Sequence, residues 1–184
     1  MRKIVLTYGL ISGAIVAVLI FSSIPLWRQG ILTFDNSEIV GYTTMVISLS
    51  MIFFGVRSCR DYHFKGSISF WQAVKIGMLI TLIASAMYAL AWEISLPAIA
   101  PDFTERMWQH FLDKAKKESA SPEEYNAVAV QVEQWKEWYK NPFLRFALTL
   151  TEILPLGIAI SFISAAFLRK KPLPPVRESS RSQV

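Results

Sequence analysis

The chain has 184 residues, enough for one domain, and 53% of them are hydrophobic. Its mean hydropathy of +0.35 lies well above that of an ordinary soluble protein. A net charge of +5 would hint at nucleic acid in a soluble chain, but here the charges are sorted by position along apolar stretches, so a membrane reading takes precedence and no nucleic-acid partner is expected. A single cysteine, Cys59, excludes an intrachain disulfide and any multi-cysteine metal site.

After a basic start at Arg2 and Lys3 comes an uncharged apolar run over 4–26. A signal peptide is the competing reading, but its apolar region should be only about 7–15 residues long and end in a small-residue cleavage site. Ser22–Ser23–Ile24–Pro25 matches that poorly, so 4–26 is read as an uncleaved first span. Gly9, Gly13 and Ala17 repeat every four residues, a ridge that lets another helix come close. A short polar connection with Arg28, Asp35 and Glu38 leads to a second span over 39–56, ended by Arg57, Arg60 and Asp61. The third span, 70–92, carries Lys75 near its start and a second small ridge at Gly77, Thr81, Ser85 and Ala89.

Residues 93–142 form the one sizeable polar part. Pro97 and Pro101 are expected to break the helix leaving the third span, and Asp102 to cap a helix running to about Glu118. Ser121-Pro122-Glu123-Glu124 is a helix start: serine cap, proline at the first helical position, glutamate three residues after the cap. Tyr125, Val128, Val132, Trp135 and Tyr139 then make one apolar stripe, and Met107, Phe111 and Ala115 a partner stripe. These features predict a helical hairpin over 102–140. The fourth span, 143–168, is long enough to cross a hydrocarbon core of about 30 Å. It contains Glu152, Pro155 and a third ridge at Gly157, Ser161 and Ala165, and is stopped by Arg169, Lys170 and Lys171. The tail, 172–184, reads as disordered.

Charge sets the expected orientation. The N-terminus, the 57–75 region and the tail carry 11 basic residues against two acidic ones; 27–38 and 93–145 carry eight basic and eleven acidic. Four spans put these two groups on opposite sides. The positive-inside rule then places both termini and the 57–69 loop in the cytoplasm and the hairpin outside, in the periplasm of a Gram-negative cell.

Glu152 is the sharpest chemical candidate. A carboxyl in hydrocarbon costs about 2.5–3.5 kcal/mol on insertion scales, so it should face other helices or be protonated. It could bind a proton or cation, with Pro155 loosening the helix and freeing a carbonyl. It could equally hold helices together through Thr149, Thr151, Thr81, Ser85 or Tyr88. Lys75 has a plain account, its alkyl stem stretching to the interface. Spacing puts it roughly 10–15 Å in depth from Glu152, too far for an ion pair. His63 beside Arg60 and Asp61, and His110 near Glu105 and Asp113, read as ordinary surface chemistry. Trp135-x-x-Trp138-Tyr139 is an interfacial anchor or a binding face. No metalloprotease, hydrolase, phosphate-loop or dinucleotide motif is present, and no cofactor, metal or enzymatic activity is expected.

Several blocks together resemble a family. They are Lys3-Ile-Val-Leu-Thr-Tyr-Gly-Leu-Ile-Ser-Gly-Ala14, Gly41-Tyr-Thr-Thr-Met45, Phe54-Gly-Val-Arg-Ser-Cys-Arg-Asp61 and Ile68-Ser-Phe70. Further blocks are Lys75-Ile-Gly-Met-Leu-Ile-Thr-Leu-Ile-Ala-Ser85, Pro101-Asp-Phe103, Tyr139-Lys-Asn-Pro142 and Glu152-Ile-Leu-Pro-Leu-Gly157. The chain resembles, over about 2–171, the bacterial membrane proteins grouped as domain of unknown function 4199 (DUF4199). The resemblance implies four spans and an extracytoplasmic helical insertion, and no reaction.

The expected fold is therefore an all-α integral membrane four-helix bundle over 1–171, with an extracytoplasmic helical hairpin between spans 3 and 4. Gly9, Gly13, Gly77 and Gly157 are its packing positions. Glu152, Pro155 and Lys75 are its candidate functional residues within the membrane. The expected role is a non-enzymatic subunit of the bacterial inner membrane that assembles with itself or with a protein partner through the hairpin. The alternative is an oligomeric small-solute or proton-linked ion transporter or channel component using Glu152.

Overall fold

The computed structural model describes residues 1–99 and 102–169; the tail expected to be disordered lies outside the described residues. Its regular structure is helical: α1 (Arg2–Arg28), α2 (Phe34–Leu49), α3 (Met51–Ser58), α4 (Phe70–Ile99), α5 (Phe103–Glu118), α6 (Pro122–Lys140) and α7 (Pro142–Leu168). Helices α1, α4 and α7, and the α2–α3 rod continued by a π turn at Cys59–His63, make four helices long and apolar enough to cross a membrane.

Helix α4 is the central and most deeply buried member, and it packs most extensively on α1 and α7. Close approach is set by missing side chains. A Cβ on Gly9 would meet Ile83 of α4 at 2.8 Å, and one on Gly13 would strike Met87. A Cβ on Gly77 would meet the Ser161 hydroxyl at 2.6 Å, and one on Gly157 would strike Thr81. All three small-residue ridges are thus used within one chain: α1's against α4, and α4's against α7. A further clasp joins α1 to α2. The buried hydroxyls of Ser12 and Ser48 each donate to the other's backbone carbonyl at 2.7 Å.

Helix ends depart from the hydrophobic runs. Helix α2 starts at Phe34, not 39, because Asn36 Oδ1 accepts from the Thr33 N–H at 2.8 Å and caps a polar first turn. Helix α4 continues through Pro97 to Ile99. Proline so close to a helix end removes one hydrogen bond and leaves little helix beyond to displace. Arg28 caps that end, donating to the Ala98 carbonyl at 2.6 and 3.1 Å. Helix α6 begins as its sequence directs, with the Glu124 N–H donating to Ser121 Oγ at 3.2 Å and the Ala120 N–H to Glu124 Oε2 at 2.8 Å.

Helices α5 and α6 pack on each other, tied by Lys136 and Glu105 at 3.5 Å. The buried α5 residues are Phe103, Trp108 and Ala115, whereas Phe111 of the expected stripe is exposed. Phe103 turns instead toward the end of the bundle, edge-on to Trp27 at 4.9 Å and against Phe34 at 5.4 Å.

Candidate functional site

Helices α4 and α7 run antiparallel in a regular register. Gly77 lies against Ser161, Thr81 against Gly157, Tyr88 reaches Glu152, and Glu93 pairs with Arg145. These rungs cover roughly 24 Å of α4 at 1.5 Å per residue. Toward one end they are small; toward the other they are polar and charged.

The charged rung is the strongest. Arg145 Nε donates to Glu93 Oε1 at 2.7 Å, and its Nη2 donates to the other carboxylate oxygen, a bidentate pair with both side chains 19% exposed. Arg145 Nη1 also donates to the Tyr139 carbonyl at 3.0 Å, and the guanidinium lies over the Tyr139 ring, 5.4 Å from its centre. Trp92 Nε1 donates to the Tyr139 hydroxyl at 2.7 Å. One tyrosine at the end of α6 is therefore held by α4 and α7 through its carbonyl, its ring and its hydroxyl.

Burial, more than any neighbour, pushes the Tyr139 hydroxyl up to about 12 from 10. A group raised in the folded state supports stability below its unfolded value and loses that support as pH rises to the folded one. Stability should therefore be flat below pH 10 and fall between 10 and about 12 through this residue. Unfolding of Tyr139→Phe, followed against pH, should lack that contribution to the alkaline decline.

Glu152 lies one rung deeper. Its Oε2 accepts from the Tyr88 hydroxyl at 3.3 Å. Of the five hydroxyl residues named for it in the sequence, the structure uses Tyr88. Thr149 and Thr151 return their hydroxyls to Arg145 and Leu148 carbonyls, and Thr81 to Gly77 with Ser161 beside it. Ser85 is fully buried and its hydroxyl has no hydrogen-bond partner among the described residues. Glu152 does not turn wholly inward: protein crowds it on one side, but it is exposed at the bundle surface, as is Pro155. Lys75 is exposed at the opposite end of α4, past the small rungs.

The histidines are placed elsewhere. His110 does not face Asp113; it stacks on Phe34 at 5.4 Å and stands 3.8 Å from Asp35. It lines a cleft of about 420 Å³ with Trp27, Arg28, Phe103 and Arg106. His63 packs edge-on against Phe64 at 4.9 Å in the turn after α3. Among the described residues no group of three or more His, Cys, Asp or Glu is placed to hold a metal ion. Glu93 and Arg145 were not singled out by sequence, because a pair 52 residues apart leaves no local spacing to find.

The fold and its polar seam define an all-helical protein of the membrane-spanning kind, with four candidate spans and a clamped accessory helix pair. The chain belongs to the DUF4199 family, proteins of unknown function, whose model matches residues 7–170. No curated protein and no solved structure matches it.

Proposed function

We propose that this chain is a non-enzymatic, multi-pass subunit of the bacterial inner membrane that assembles with a protein partner through α5 and α6. Both termini and the 57–69 loop lie in the cytoplasm and the α5–α6 pair lies outside, in keeping with the sorting of basic residues. The observation that carries the assembly role is a fixed display. Tyr139 and Phe103 bind the pair to the end of the bundle, while Phe111, Val130, Trp135 and Trp138 stay exposed. Rigidly held aromatic side chains give up little conformational entropy on docking and are the usual anchors of protein interfaces. Cross-linking of the tagged full chain in native membranes should capture one other protein at a fixed ratio. Trp138→Ala should reduce that capture by about 30-fold if Trp138 is a hot spot worth about 2 kcal/mol. Capture of self alone, or capture indifferent to Trp138, rejects the role.

The Tyr88–Glu152 contact favours a second reading, an oligomeric carrier or channel component. It requires flux in liposomes that Glu152→Gln abolishes.

A further inference from the structure

Tyr88 and Glu152 meet across the α4–α7 interface, and among the described residues nothing neutralises the acid. Glu152 accepts one hydrogen bond, from Tyr88, and among the described residues no cation pairs with it. Arg145 is committed to Glu93 and to the Tyr139 carbonyl. Lys75 lies at the far end of α4, beyond the Thr81–Gly157 rung. The titratable groups that neighbouring helices bring toward the Tyr88–Glu152 pair are phenols: Tyr42 from α2 and Tyr139 from α6. None supplies positive charge.

The α4–α7 register, with Thr81 against Gly157 and Tyr88 reaching Glu152, brings two further oxygens near this level. Ser85 precedes Tyr88 by one turn on the α4 stripe that meets α7. Its hydroxyl is buried and has no partner among the described residues, although Thr81 and Ser161 on the same interface return theirs to carbonyls one turn back. Pro155 has no N–H, so the carbonyl of Thr151, next to Glu152, loses its ordinary helical donor.

We propose that Glu152, the hydroxyls of Tyr88 and Ser85 and the Thr151 carbonyl form a site for one monovalent cation, a proton or Na⁺. A single carboxylate balances a single charge. A divalent ion would leave the site positive in an apolar surround, and such ions ordinarily draw on more carboxylates or retained waters. The site deepens the carrier reading above, and rests on that reading's placing of Glu152 within the membrane. It does not depend on the α5–α6 partner.

A hydrophobic carbodiimide, which reacts with protonated carboxyls in lipid, tests it on the full chain in lipid nanodiscs, with mass spectrometry locating the adduct. Glu152 should be labelled at acid pH. For a proton site, labelling falls as pH rises and ignores added Na⁺; for a Na⁺ site, NaCl suppresses labelling at fixed pH and choline chloride does not. Ser85→Ala should shift the half-point about fivefold, one ordinary hydrogen bond's worth, toward more Na⁺ or lower pH. In the proton case Tyr88→Phe removes a donor to the carboxylate, so labelling persists to higher pH. Labelling of Glu152 that responds to neither pH nor Na⁺, or half-points that neither variant moves, overturns the site. Occupancy and flux separate the two ideas: protection of Glu152 without flux keeps the site and rejects the carrier.

Discussion

Arg145→Ala should destabilise the purified protein by about 3 kcal/mol, because it strands the Glu93 carboxylate in a mostly enclosed position. Four contacts end at once: two carboxylate bonds, the Tyr139 carbonyl bond and the stacking on its ring. Glu93→Ala should cost less, since Arg145 keeps its hold on Tyr139. The double variant should cost clearly less than the two singles together, as expected when partners share one interaction. The loss should also loosen α6 before the bundle. Hydrogen exchange would show amides near Tyr139 opening in Arg145→Ala while those of α4 around Thr81 stay protected. Equal opening in both places would mean that the pair braces the bundle and does not fasten α6 to it.

Gly157→Val should be as damaging by the opposite physics. A Cβ on Gly157 runs into Thr81, so the two central helices must separate. Overpacking of this kind costs about 1–3 kcal/mol, and branching at Cβ puts the substitution toward the upper end. The rung beyond it, Gly77 against Ser161, would open too, and with it the Thr81–Ser161 contact at 3.4 Å. Gly41→Ala is the control. Nothing lies within 4 Å of a Cβ there, so alanine in mid-helix should be neutral or stabilise by up to about 1 kcal/mol. Thermal unfolding of the three proteins in one detergent compares them directly.

The spans were legible because they are long apolar runs, a property of length and composition alone. Their ends were not. Hydrophobicity marks the part of a helix suited to oil, whereas α2 extends into a capped polar turn at Phe34 and α4 runs through Pro97. The glycine ridges could be read from four-residue spacing, but their partners could not; Ile83 and Met87 carry no mark that assigns them to α1. Most of the α6 stripe turned inward, with Val132 buried and Tyr125, Val128 and Tyr139 half-buried, but Trp135 is exposed. On α5 Met107 packs against the Phe103 cluster, whereas Trp108 is buried and Phe111 is exposed. Helix α5 is held by two surfaces at once, and a single stripe does not describe it. At the site, sequence supplied Glu152, Pro155 and a short set of hydroxyls containing Tyr88. The exposure of Glu152, the solitary hydroxyl of Ser85 and the Arg145 clamp all depend on how α4 and α7 are registered, which only the folded chain displays.

The assembly role through α5 and α6 depends on which way the bundle is set in the membrane. With Cys59→Ser as background, single cysteines at Asn126→Cys in α6 and Tyr62→Cys in the turn after α3 can be probed with a membrane-impermeant maleimide on spheroplasts. Labelling at 126 in intact spheroplasts, and at 62 only after permeabilisation, is the result expected here. The reverse pattern would put α5 and α6 in the cytoplasm and contradict the account.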